Sequence, residues 1–442
     1  MNLVSCQRVM ALGAFALVLL TSASAAAIDA PAAKAAVDAQ FVRDWPALKS
    51  LYEDIHAHPE LGFQETRTAA ELAARMRALG FTVTQHVGGT GLVAILHNGA
   101  GPTVMVRTEL DALPLEEKTG LAYASRAKAT WAGRETFVDH ACGHDIHMAA
   151  WVGAAEFLSA NKYRWHGTLK FVAQPAEEVV GGAHAMIKDG LFTRFAKPDY
   201  GFAQHVGNEA YGTIAYKSGI YSSNADGFVL RFDGRGGHGS KPSSTIDPIM
   251  MAARFVVDVQ SVISREKDPA QFGVITVGSI QGGSAGNIIP DNAVVRGTIR
   301  SFTPEVRAKL KAGVARTAEA VAMMAAAPKP TLEFDDGATA VVNDDALTRR
   351  TAPVFKAAFG DKAVVMQAPQ SASEDYSEFI EAGVPSLYYS LGGYPPEAVA
   401  SARAGGPPLP SNHAPQFAPT PEPSIRTGVE AMSLAVLSVL GA

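Results

Sequence analysis

Residues 140–147 read HACGHDIH, which puts three histidines, one cysteine and one aspartate within eight residues. Cys142 and His144 stand two apart around Gly143. A thiolate and an imidazole at that spacing suit zinc or a neighbouring transition metal. Other candidates follow strand-like runs: Asp111 after PTVMVRTEL, Glu177 and Glu178 after LKFVAQPA, and His205 after DYGFAQ. His413 lies near the C-terminus in SNHAPQF. In an open α/β sheet the carboxyl ends of the strands border one crevice, so groups distant in sequence meet there. A histidine taken singly is ordinarily a surface or satisfied core residue, and a free cysteine is ordinarily a small buried hydrophobe. Their joint placement makes Cys142, His144, Glu178, His205 and His413 candidate ligands.

Five ligands are too many for one catalytic zinc, which usually takes three from the protein and keeps a position open. If Cys142 bridges two ions, each receives three protein bonds, the two-metal arrangement of hydrolases. The adjacent Glu177 and Glu178 repel each other unless a cation compensates them. Neighbouring side chains project differently, so Glu178 can bind metal while Glu177 faces an activated water as its general base. A solvated acidic loop is the plain alternative for such a pair.

Composition narrows the setting. The 442 residues carry 38 Lys+Arg against 43 Asp+Glu, a net charge of -5 that gives no reason to expect nucleic acid or an anionic membrane as partner. The start, MNLVSCQRVMALGAFALVLLTSASAAA, has a basic residue, a short apolar core and small residues. That pattern predicts a signal peptide over 1–25 and a periplasmic or secreted protein without a membrane span once it is removed. With Cys6 removed, Cys142 is the only cysteine left of the two, so no internal disulfide is available.

The elements that must hold these groups alternate. ETRTAAELAARMRAL (65–79) is helical and stops at Gly80. GLVAIL (91–96) and PTVMVRTEL (102–110) are strand-like and joined by a turn at Asn98-Gly99; a helical pattern over 148–158 and the strand GTLKFVAQ (167–174) follow. From Ala225 the order becomes β-α-β-β-α, with Asp247-Pro248 starting one helix and Pro304 the next. After Thr331 the α/β character returns, PSLYYSLG (385–392) is a buried strand, and the Pro/Gly-rich stretch 394–410 is expected as a surface loop. The expectation is an α/β protein in which 38–223 and 334–442 form a discontinuous catalytic domain and 224–333 an inserted α+β domain.

In order along the chain, RTELDALPLEE (107–117), HACGHDIH (140–147), QPAEEVVGGA (174–183), GGHGSKP (236–242), GGSAGNIIPD (282–291) and SEDY (373–376) resemble motifs of the hippuricase and indole-acetyl-amino-acid amidohydrolases. These form a branch of the dinuclear metal aminoacylase and carboxypeptidase family. The resemblance implies a zinc-aminopeptidase-like catalytic domain with a mixed central sheet and a ferredoxin-like lid that makes a homodimer contact. It implies two divalent ions per subunit, Zn or else Mn, Co or Ni, on Cys142, His144, Glu178, His205 and His413. Glu177 would be the general base, and Asp111 would orient a metal-site residue. His238 would reach the partner's active site to stabilise the oxyanion, and Asn287 and Arg300 would bind substrate. The implied activity is hydrolysis of N-acyl amino acids, hippurate-like or aryl-acetyl conjugates. Two alternatives are a metallocarboxypeptidase or dipeptidase acting on short peptides and a non-catalytic periplasmic binding protein, which would have no use for Glu177. The chain departs from the family where Glu109 replaces an Asp and where Ser243 replaces a frequent His. A G-x-G-x-x-G match at 234–239 would suit a dinucleotide only if it opened a helix at once, and eight residues separate it from Pro248.

Overall fold

The computed structural model describes residues 28–335 and 337–441. The expected signal peptide lies outside them; among the described residues no helix is long and apolar enough to cross a membrane. Helix α1 (Ala30–Ala57) is capped by the Asp29 side chain, which accepts from the Ala32 N–H, and α2 (Thr66–Ala78) ends before Gly80, at φ +86°. Strands β1 (Thr82–Val87), β2 (Gly91–Asn98) and β3 (Thr103–Glu109) follow, then helix α3 (His144–Ala160) and strand β4 (Gly167–Gln174). Next come β5 (Tyr200–Ala210) and β6 (Ile214–Tyr216).

The inserted unit contains β7 (Asn224–Asp233), α4 (Pro248–Asp258), β8 (Gly273–Gly282), β9 (Asn292–Ser301), α5 (Pro304–Met324) and β10 (Thr331–Phe334). After it come α6 (Asp345–Phe359), β11 (Ala363–Val365), β12 (Ser386–Tyr394) and the C-terminal helix α7 (Pro421–Leu440). The stretch expected as a loop after β12 contains a helix, Pro396–Arg403.

Eight strands form the main sheet in the order β1-β2-β4-β3-β5-β12-β6-β11. The four central strands β4, β3, β5 and β12 are mutually parallel; β2 and β1 follow antiparallel on one side, and on the other β6 is antiparallel to β12 while β11 pairs parallel with β6. The Asn98-Gly99 turn exists, yet β2 and β3 are not partners because β4 lies between them. A turn signal specifies reversal of the chain and not the neighbour it returns to. Here the turn wraps the start of β4: Thr168 N–H donates to the Pro102 carbonyl at 2.9 Å, and a Cβ on Gly101 would fall 2.9 Å from the Gly167 Cα.

Both faces of the central strands are covered, so apolar residues occupy both sides of the pleat. Val104 and Val106 of β3 and Phe171 of β4 pack with α1, α3 and α7, while Met105 and Val172 point into a second cluster with Met186, Phe379 and Tyr388. The inserted sheet has the order β8-β9-β7-β10, all antiparallel, with α4 and α5 on one face. Thr331–Phe334, three residues of which fall within the expected insert without being expected as a strand, pairs with β7 and completes a β-α-β-β-α-β unit. The glycine-rich 234–239 stretch opens no helix.

Gly153 of α3 lies where α1 and α7 pack against it. A Cβ there would sit 2.6 Å from Val429 Cγ2 of α7 and 3.1 Å from Leu48 Cδ1 of α1. Gly153→Ala should therefore lower the thermal midpoint, because overpacking of about 1–3 kcal/mol exceeds the roughly 1 kcal/mol gained in helix propensity. A raised midpoint would show that the helices yield.

Candidate metal centre

The crevice is built at the ends of the parallel strands. Val106 of β3 pairs with Phe202 of β5, so three residues further on Glu109 is level with His205. Glu109 also pairs with Gln174, the last residue of β4. Past these ends the chain bends sharply. Gly143 caps α3 at φ 85°, where a Cβ would meet Val206 Cγ1 at 2.4 Å, so only glycine lets Cys142 and His144 flank this turn. The helix starts at His144, four residues before the apolar periodicity suggested. Ala176 adopts a left-handed φ of 52°, and its N–H donates to Glu65 Oε1 at 2.7 Å. That bend turns Glu177 and Glu178 toward the crevice.

Hydrogen bonds orient the ring nitrogens. His144 Nδ1 donates to the Asp111 carbonyl at 2.8 Å, while Asp111 Oδ2 accepts from the Glu178 N–H at 2.9 Å. One aspartate thus holds two candidate ligands. His205 Nδ1 donates to the Val206 carbonyl at 2.9 Å, leaving Nε2 3.4 Å from Cys142 Sγ. His413, held by its N–H to Ala141 at 2.8 Å and with φ 69°, brings Nε2 to 3.3 Å from Sγ and 3.3 Å from Glu178 Oε2. The ligand atoms fall into two triads sharing Cys142, one with His144 and His205, the other with Glu178 and His413. A third grouping joins His144 to Glu177 and Glu178.

These residues fit divalent cations. His144 Nε2 and Glu178 Oε1 are buried without a hydrogen-bond partner, a costly state unless something else coordinates them. Burial alone would discharge His144, yet its Asp111 contact and the Glu109 and Glu178 charges carry it up to about 10. Burial pushes the Cys142 thiol well up, and Glu178 and Glu177 add to this, so the thiolate needs a bound cation. The two glutamates separate. Burial, then Glu374 and Glu178, holds Glu177 far above the carboxylate range. Burial also opposes ionisation of Glu178, but the bond from His413 and the neighbouring His144 bring it below.

Behind the triads lies a network the sequence did not disclose. Buried Arg107 pairs with Glu109, with Glu374 at 2.7 Å and with Asp375 at 3.4 Å. Glu109 reaches His147 Nδ1 at 3.0 Å, and His147 Nε2 accepts from the Val206 N–H at 2.8 Å. The departure at Glu109 therefore touches the support of His205 and no candidate ligand directly. An arginine in the middle of a strand-like run was the available signal, but Glu374 and Asp375 are 267 and 268 residues away.

A cavity of about 840 Å³ opens beside the triads and is lined by Cys142, Glu177, Glu178, His205 and His413 among others. Arg300 reaches it from the inserted sheet, donating to Ser373 Oγ at 2.6 Å. His238 and Asn287 do not line it. They sit side by side on the inserted unit, where the Gly239 N–H donates to the Asn287 carbonyl at 2.9 Å. His238 is exposed, and its Nδ1 accepts from the Ser240 N–H at 3.1 Å. Ser243 is an exposed member of the neighbouring turn, Pro242–Ser244.

A family model for peptidase family M20/M25/M40 matches residues 105–435. The chain is 35% identical over 343 residues to the N-acetyl-L-cysteine deacetylase of Bacillus subtilis, covering 76% of this chain and 77% of that protein. It is 35% identical over 340 residues to the hippurate hydrolase of Campylobacter jejuni, covering 75% of this chain and 85% of that protein. Among solved structures, it matches a dinuclear metal-binding peptidase from the M20 family, of Bacillus subtilis, with a TM-score of 0.70 and 26% identity. That match covers 91% of this chain and 99% of the other.

The Asp111 carboxylate accepts from the Glu178 N–H at 2.9 Å and lies 3.5 Å from His144 Nδ1. Asp111→Ala, which keeps the carbonyl bound to His144 but removes that carboxylate, should therefore weaken metal affinity by about 10–100-fold, the usual cost of losing an orienting partner. Competition with a chromophoric chelator measures this. Unchanged affinity would mean that the two residues are positioned without it.

Proposed function

The chain belongs to peptidase family M20/M25/M40 and is a metal-dependent amidohydrolase, and we propose that it cleaves the amide bond of N-acyl amino acids, with two divalent cations, Zn2+ first, held around Cys142. The observation that carries this is the pair of triads sharing one thiol, with Glu177 left over beside them, 3.9 Å from His144 Nε2. Bound cations would polarise the scissile carbonyl and acidify water. The likeness to a deacetylase and a hippurate hydrolase, both named for N-acyl amino acids, supports the substrate class.

The remaining steps belong to the protein's own side chains. Burial and the surrounding carboxylates favour the protonated form of Glu177; beside the charge of bound cations it is freed as a carboxylate able to take a proton from the attacking water. It then delivers that proton to the leaving nitrogen. Glu178 keeps its charge for coordination. Arg300, already steadied by Ser373 on the cavity wall, suits the substrate's carboxylate. The exposed His238 and Asn287 serve the cavity of a second subunit in a homodimer, His238 as donor to the oxyanion.

Three measurements test this reading. The metal-loaded protein should hydrolyse hippurate and N-acetyl amino acids with at least tenfold higher kcat/KM than free dipeptides; the reverse preference would move it to the peptidase class. Glu177→Gln should keep its metal and its KM while kcat falls by about two or more orders of magnitude, whereas Glu178→Gln should lose metal. Identical behaviour of the two variants would refute the division of roles. Mixing His238→Ala with Glu177→Gln and letting subunits exchange should restore up to about half the activity per mixed dimer, by two-fold symmetry. No recovery despite proven exchange would return His238 to its own chain.

A further inference from the structure

A second cluster of metal-ligating side chains lies on the other side of the turn that carries Cys142 and His144. His56, near the end of α1, places Nδ1 2.7 Å from Asp145 Oδ2 and Nε2 3.2 Å from Glu117 Oε1. Asp139 is the third member. One ligand atom each from His56, Glu117 and Asp139 lies within 4.8 Å of the others. The site is closed to water: His56 is 3% exposed, Asp139 1% and Asp145 2%, and the rings of Tyr52 and Tyr123 flank the imidazole.

Asp139 is the unexplained element. Its backbone is fixed by a reciprocal pair with Leu113, at 3.0 and 2.9 Å, and its side chain is buried. Yet Oδ2 is buried without a hydrogen-bond partner. Burial, followed by the Glu117 charge, pushes its pKa up to about 7. Three carboxylates, Glu117, Asp139 and Asp145, thus surround one imidazole in a water-poor space. A proton on His56 Nε2 would satisfy Glu117 but leave Asp139 Oδ2 orphaned. A proton on Asp139 would make it an orphaned donor instead. Glu117 already accepts from the Thr119 hydroxyl and the Ser125 N–H, and a cation among the three would give Asp139 Oδ2 the partner it lacks.

We propose that His56, Glu117 and Asp139 hold a structural divalent cation of the Zn2+ or Mn2+ class, separate from the pair around Cys142. The Asp145–His56 contact is the carboxylate–histidine arrangement that fixes the tautomer and directs the other nitrogen's lone pair at a metal. The spacing of Nε2 and Oε1, 3.2 Å, is close to the ~3.3 Å edge of a tetrahedron with metal bonds of about 2.0 Å. One imidazole with carboxylates favours a transition cation over calcium, which takes six to eight oxygens. The cation ties the end of α1 and the Glu117 loop to the segment 139–145, so it braces the turn that presents Cys142 and His144.

Titration of the metal-stripped full chain with Co2+ tests the assignment, because thiolate-to-cobalt absorption reports only the ions on Cys142. The wild type should bind about three equivalents, one of them silent in that band, and Asp139→Asn about two with the band unchanged. Glu117→Gln should lose the same silent equivalent, so misfolding of one variant does not decide the matter. The last equivalent should also raise the thermal midpoint of the wild type and not of the variants. Two equivalents in the wild type, or three in both variants, would overturn the site. Absence of the thiolate band would instead overturn the dinuclear reading, since the Asp139-dependent equivalent is counted independently of it.

Discussion

The structure depends on how buried negative charge is neutralised at the ends of the parallel strands. Glu109, Asp111, Glu177, Glu374 and Asp375 are all buried there, with Glu178 partly so. Arg107 supplies the fixed positive charge on one side and binds Glu109, Glu374 and Asp375. On the other side no lysine or arginine among the described residues pairs with Glu178, and its neighbours are imidazoles, a thiol and the Glu177 carboxyl. Removing a buried ion's partner typically costs about 3–5 kcal/mol, so this half of the site calls for mobile cations where the first half has a covalently attached one.

The sheet makes the arrangement possible because strands far apart in the chain end at one level. Its parallel centre, covered on both faces, lets the bends at Gly143 and Ala176 deliver ligands into a common space while the strands stay rigid. The strain at Ala176 and His413 sits where the chain turns side chains toward that space, the usual place for it. Asp111 links two of the arms, and Glu65 holds one of them, at the Ala176 bend, from behind. The inserted unit then divides its work: Arg300 faces the cavity of its own chain, and His238 faces outward.

Much of this was legible in the sequence, for identifiable reasons. The candidate ligands combined distinctive chemistry with positions at strand ends, so Cys142, His144, Glu178, His205 and His413 could be singled out before any coordinates. Gly80 and Asp247 marked helix ends by local chemistry that survives in the fold. What was not legible depended on pairing. The Asn98-Gly99 turn suggested neighbours that β4 separates, and Thr331–Phe334 joined the inserted sheet because an edge strand is chosen by its partner, β7, more than by its own residues. Arg107, Glu374 and the His56–Asp145 contact were hidden for the same reason: a charged residue gives no sign of which distant carboxylate will face it.

The account's central claim is that one thiol joins two cation sites. Anomalous diffraction at the zinc edge, from crystals of the metal-loaded protein, tests it most directly. The account predicts two peaks sharing Cys142 Sγ, one completed by His144 and His205 and the other by Glu178 and His413. A single peak at this centre, or two peaks of which only one touches the sulfur, would contradict it.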